Sequence, residues 1–132
     1  MAAAGRRLGV IRLPDVVILY TTWPDAEKAE AVAAEAVAER LAACANVEEP
    51  MRSIYRWQGA VERSAEVAMT LKTTDEAAAA LCAFILERHP YELPCVLAWT
   101  VAAEFSHGDY LDWVLEEVAA PAIESAVDID GA

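Results

Sequence analysis

The stretch Glu39–Gly59, ERLAACANVEEPMRSIYRWQG, decides how the rest of the chain is read. From Met51 to Trp57, Met51, Ser53, Tyr55 and Trp57 alternate with Arg52, Ile54 and Arg56. Alternation of this kind, with Ile, Tyr and Trp in the run, predicts a β-strand. Gln58-Gly59 supplies a turn, because glycine takes a positive φ at no steric cost. Val61–Thr73 returns as a second strand, with Val67, Met69 and Leu71 on one side and Glu66, Ala68, Thr70 and Lys72 on the other. The two form a β-hairpin with arms longer than the usual strand of about five or six residues.

Upstream, Val16–Tyr20 (VVILY) is a short apolar run bounded by Pro14-Asp15 and Thr21-Thr22. Without alternation, it reads as a strand buried on both faces. Asp25 opens a helix whose apolar stripe runs through Ala29, Val32, Ala33, Ala36, Val37, Leu41 and Cys44, ending at Asn46 and Pro50. Downstream, Thr73-Thr74-Asp75-Glu76 fits a capping box with Thr73 as the cap. The helix it opens carries Ala78, Leu81, Cys82, Ile85 and Leu86 on one face and stops at Pro90. Cys95–Val101 is apolar on both alternating sets and predicts a fourth strand with little access to water. His107-Gly108-Asp109 starts a last helix with Tyr110, Leu111, Val114, Leu115 and Val118 inward.

The predicted fold is α+β, a ferredoxin-like βαββαβ unit with an antiparallel sheet, a long central hairpin and an extra C-terminal helix. Two helices cover one face of such a sheet. The other face, and the overhanging hairpin edges, call for self-association, with the last helix doing part of the covering. The domain spans 15–119, between a loose leader at 1–14 and an acidic tail at 120–132.

At 132 residues the chain is one domain, large enough to hold a core without staples. Its net charge of −12 argues against nucleic acid and anionic membranes and is compatible with cations as ligands. No apolar run reaches the roughly 20 residues that span a bilayer. The first residues, MAAAGRRLGVIRLP, hold no block of signal-peptide length, so the expected location is the cytoplasm. Three cysteines, Cys44, Cys82 and Cys95, fit no disulfide framework. Cys44 and Cys82 fall on apolar faces of predicted helices, where buried structural thiols are the default.

A set of ordered segments resembles the divalent-cation tolerance family, CutA. They are Thr21-Thr22-Trp23-Pro24-Asp25, Glu39–Asn46 (ERLAACAN), Ser53–Gly59 (SIYRWQG), Glu66, Leu71-Lys72-Thr73, His89–Pro94 (HPYELP) and Tyr110-Leu111-Asp112-Trp113. The resemblance implies a ferredoxin-like subunit, a tight homotrimer and a metal-binding, non-catalytic role in tolerance of copper and other divalent metal ions. It also implies a likeness in architecture to the PII signalling proteins. Trp23 stands where many relatives carry Cys, and Cys95 where the family usually has Glu.

Among candidate ligands, Cys95 and His89 are close in sequence, and a thiolate with an imidazole suits copper or zinc. Cys44 is a further candidate with a strong core reading. No CxxC, HxxxH or HExxH is present. Lys72 either binds an anion in an intersubunit cleft or pairs with Glu66. Tyr55, Trp57, Tyr91, Tyr110 and Trp113 either line that cleft or pack. Three functions follow: a trimeric metal-responsive protein; a PII-like module that binds a small ligand between subunits and acts on a partner protein; and an enzyme using Cys95 or Cys44 with His89. The last lacks a third group to orient a base.

Overall fold

The computed structural model describes residues 6–9 and 11–119; the expected acidic tail at 120–132 lies outside them. Within the segment read as a leader, β1 (Arg7–Leu8) and β2 (Ile11–Arg12) form a small hairpin that turns at Gly9, φ 64°. Next come β3 (Val16–Trp23), α1 (Ala26–Ala38), β4 (Cys44–Val47), β5 (Met51–Trp57) and β6 (Ala60–Thr74). The described part of the chain continues with α2 (Ala78–Arg88), β7 (Val96–Thr100), a 3-10 turn at Ala103–Phe105 and α3 (Gly108–Glu117). The sheet order is β4-β6-β3-β7, antiparallel throughout, with β5 paired to the outer half of β6. This is the ferredoxin-like arrangement, with its second strand broken into β4 and β5.

The hairpin forms as its alternation predicts. Met51–Trp57 pairs with Ala60–Glu66 around Gln58 (φ 49°) and Gly59 (φ 84°), and positive φ at both central residues marks a type I′ turn. Between Val47↔Met69 and Met51↔Glu66 the β4–β5 side advances four residues against three on β6. That extra residue is a bulge at Glu48–Pro50, where Pro50 has no amide to donate. The bulge switches parity, so Tyr55 and Trp57 project to the same side as Cys44, Asn46 and Lys72.

Several boundaries differ from those expected. β3 runs on through Thr21, Thr22 and Trp23, because long β6 continues to offer Met69, Ala68 and Val67 as partners. Helix α1 starts as expected, with Asp25 accepting the Lys28 amide at 2.7 Å, but stops at Ala38, short of Cys44. Arg40 there takes φ 60°, with Arg40 N–H on the Val37 carbonyl and Leu41 N–H on that of Ala36, a Schellman ending without glycine. Cys44 therefore lies on β4, half-exposed, rather than on a helix. Thr73 is no helix cap: it stays in β6 and donates to the Leu41 carbonyl at 2.7 Å, while Thr74 accepts the Ala77 amide. Ladder pairing of Thr73 and Thr74 with Val17 and Val16 outweighs the local cap. On α2 the inward set is Leu81, Phe84 and Ile85; Leu86 is exposed and Cys82 half-exposed.

The main core joins Val17, Leu19, Trp23, Val67, Met69 and Leu71 of the sheet to Ala29, Val32, Ala36, Leu81 and Ile85 of the helices. Alternation then leaves Ile18, Tyr20, Thr70 and Lys72 on the opposite side. Pairing aligns Trp99, Ile18, Lys72 and Cys44 in one row across that side, and Leu97, Tyr20, Thr70 and Asn46 in the next. Helix α3 covers one end of it through a second cluster of Val16, Ala43, Ala77, Leu111, Val114 and Val118. Tyr110, expected inward, is part-exposed at the helix edge. The edge strand β7 is not shielded within one chain: Leu97 is 59% and Trp99 48% exposed. Ile18 and Tyr20 are half-buried, so β3 too is sealed on one side only.

Candidate functional site

The open side of the sheet carries a polar cluster at its β4 edge. Lys72 faces Cys44 across the β4–β6 ladder, and the backbone is fixed there by Ala43 N–H on the Lys72 carbonyl at 2.8 Å. The Lys72 ammonium donates to Asn46 Oδ1 at 2.9 Å and lies 3.9 Å from Cys44 Sγ. Helix α3 brings the Tyr110 ring to 5.8 Å from Nζ, and Trp113 lies 5.5 Å from Tyr110 at 40°. Lys72 does not pair with Glu66: six residues along one strand separate them by roughly 20 Å. Asn46, which helical periodicity placed at a helix end, is the member that sequence reasoning missed. The alternation of Cys44 and Asn46 in CANV was the available signal.

The other cleft candidates gather elsewhere. Tyr91 lies against His89, ring centroids 4.8 Å apart, and burial together with a hydrogen bond to Glu66 pushes its phenol up to about 12. Tyr55 is on the hairpin, its hydroxyl 3.3 Å from Ser64 Oγ, and Trp57 closes the same strand. The six aromatic and lysine candidates thus divide between the Lys72 edge, the His89 corner and the hairpin.

His89 is buried and stacked on Trp23, with centroids 4.1 Å apart and planes at 29°. Trp23 is fully buried, and its indole N–H donates to Thr21 Oγ1 at 2.7 Å. Thr21 in turn donates to the Met69 carbonyl. His89 Nε2–H donates to the Thr22 carbonyl at 2.7 Å, and Nδ1 accepts the Tyr91 amide at 3.2 Å. That pattern sets the tautomer and spends the lone pair a metal would need. Burial holds the imidazole below its ordinary range, partly opposed by the Thr22 carbonyl. Cys95 sits half-buried just before β7 and is not a hydrogen-bond partner of His89. The thiol–imidazole pair suggested by sequence proximity therefore does not fit a metal in this geometry. Among the described residues no three His, Cys, Asp or Glu side chains converge as ligands. Cys44 faces a cation already, which opposes a second one.

With the geometry in hand, comparison with known proteins is specific. The family model for the CutA1 divalent ion tolerance protein matches residues 17–117. The divalent-cation tolerance protein CutA of Pyrococcus horikoshii is 40% identical over 102 residues, which is 77% of this chain and 97% of that protein. Its counterpart in Citrobacter koseri is 40% identical over 106 residues, 79% of this chain and 89% of that one. Among solved structures, CutA from Xylella fastidiosa superposes with a TM-score of 0.75 at 34% identity, covering 80% of this chain and 99% of its own. The divalent cation tolerance protein of Thermus thermophilus gives 0.75 at 36%, covering 79% and 99%. Family match, identity and fold agree over the same span: the chain belongs to the CutA1 divalent ion tolerance protein family.

Proposed function

We propose that this chain works as a cytoplasmic homotrimer in divalent-cation tolerance, by binding rather than by catalysis. The observation that carries the assembly is the open sheet side. Leu97 and Trp99 lie there beside half-buried Ile18 and Tyr20, and the projecting hairpin adds Tyr55 and Trp57. A contiguous apolar surface of this kind marks an interface, and covering it with a second copy also pairs the hairpin edges. Three free thiols are consistent with a reducing compartment.

Divalent ions, copper among them, meet this chain through carboxylates. Acidic residues number 22 against 10 basic ones; oxygen donors suit hard divalent cations, and the Irving–Williams order lets the same donors hold borderline Cu(II). Against a closed soft-metal site at His89 and Cys95 stands the imidazole lone pair, which already accepts the Tyr91 amide. Native mass spectrometry of the purified protein tests the reading, since it reports oligomer mass and bound metal together. A monomeric mass at micromolar concentration would overturn the assembly, and retention of a stoichiometric metal through chelation would overturn the diffuse mode of binding.

A second reading is favoured by the Lys72 cluster: a PII-like regulatory module that binds a small ligand beside the subunit interface and acts on a partner protein. Its support is a half-buried ammonium with aromatic rings alongside, on the sheet side left open for a neighbour.

A further inference from the structure

The geometry points to a small-anion site at Lys72, between β4 and α3, that takes a carboxylate or phosphate on the ammonium and the ligand's apolar body on Tyr110. It deepens the regulatory reading and rests on it for its purpose, but one chain supplies every group named.

The first argument is charge. The chain has only two lysines, Lys28 and Lys72, among 22 acidic residues. Lys72 is the half-buried one, and among the described residues no carboxylate oxygen lies within 4.0 Å of its nitrogen. In so acidic a chain, a cation withdrawn from water would ordinarily be matched by one of the abundant carboxylates, since partial burial of a charge is costly unless it is compensated. Here its acceptors are a neutral amide oxygen at 2.9 Å and a thiol at 3.9 Å, and thiol sulfur is a weak acceptor. An ammonium carries three donors, so the set is completed by an anionic oxygen.

The second argument is rigidity. Cys44, Asn46 and Lys72 are held by the β4–β6 ladder, and Tyr110 by a helix whose Leu111 and Val114 are packed against Val16 and Ala43. Groups on fixed elements lose little freedom when a ligand arrives. Tyr110 keeps about two fifths of its surface exposed beside the ammonium, and Trp113, equally exposed, packs 5.5 Å from it, which makes an apolar platform next to a point charge. The ammonium also sets the sign: it attracts an oxyanion and repels the divalent cations met elsewhere.

Cys44 is a built-in reporter, with its sulfur 3.9 Å from Nζ. In a Cys82→Ser/Cys95→Ser background, the rate of Cys44 alkylation by iodoacetamide is followed on native protein. Sodium phosphate, acetate or benzoate is added against sodium chloride of equal ionic strength. Phosphate and benzoate are expected to slow alkylation several-fold, benzoate at lower concentration than acetate. Lys72→Met should abolish protection and Lys72→Arg should retain it. Protection by phosphate alone assigns a phosphate ligand, and by carboxylates alone a carboxylate ligand; either upholds the site. Equal rates in every salt, or protection that survives Lys72→Met, overturns it. So does a Cys44 that reacts only after unfolding, which would mean a neighbouring subunit seals the site. Native mass recorded on the same samples keeps failure of the anion site distinct from failure of the assembly.

Discussion

His89 shares its ring face with Trp23 and commits both nitrogens to the backbone, one to Thr22 and one to Tyr91. Burial disfavours its charged form, so the folded imidazole binds a proton less readily than the unfolded one, whose value is ~6.5. The sign follows: this contribution to stability is complete above ~6.5 and is lost as pH falls through the lower folded value. Melting temperature measured from about pH 7.5 down to about pH 5 should fall, and His89→Gln should flatten that slope. An unchanged slope in the variant would place the titration elsewhere. The same geometry predicts that Cys95→Ser leaves affinity for copper and zinc within about twofold. A tenfold loss, about 1.4 kcal/mol, would restore the thiol site. Sequence placed His89 and Cys95 six residues apart, but nearness in sequence carries no information on where a ring's lone pair points. The indole at position 23, noted there only as a residue standing where many relatives carry Cys, stacks on the imidazole and helps hold it in place.

At the scale of elements, Arg40 joins the ends of two helices. Its backbone terminates α1 at φ 60°, a conformation that costs a residue with a Cβ about 1 kcal/mol relative to glycine. Its guanidinium then donates to the Glu116 and Glu117 carbonyls at 2.6 and 2.9 Å, satisfying the end of α3, while its own carbonyl accepts the Ala119 amide. Arg40→Ala keeps the strain and loses the cap, so thermal unfolding should show a loss of about 1 kcal/mol. Arg40→Gly loses the cap but relieves the strain and should cost less; a larger loss for glycine than for alanine would refute the account. This residue also explains which elements were legible. The hairpin was, because Tyr, Trp and Ile alternate and Gly59 marks its turn. The end of α1 was not, because Leu41 and Cys44 continue its apolar spacing and the left-handed residue is an arginine. Reading Cys44 as helical hid the bulge at Glu48–Pro50, and with it the shared side of Cys44, Lys72 and Tyr55. Lys72 and Tyr110 were named from sequence; Asn46, which accepts from the Lys72 ammonium, was not.

For the whole molecule, the two sides of the sheet behave differently. One is closed by α1 and α2 over a core that includes Leu19, Met69 and Leu71, all nearly or fully buried. On the other, α3 covers only the end near Val16, leaving Trp99, Leu97, Ile18 and Tyr20 for a neighbour. The apolar pattern of β3 and β7 signalled this surplus, and in the proposed assembly a neighbouring copy covers it. Trp99 lies on the edge strand in the exposed row, 48% exposed, so a glutamate there is tolerable to a single folded chain. Inside an interface the same carboxylate has to give up its water, a cost of several kcal/mol without a paired cation. Trp99→Glu should therefore lower the native mass from three subunits to one at micromolar concentration while far-ultraviolet circular dichroism stays close to that of the parent. Leu86→Glu, equally charged but on the helical side of the sheet, should leave the trimer intact. Dissociation by both variants would point to net charge rather than this surface, and dissociation by neither would remove the open side from the interface.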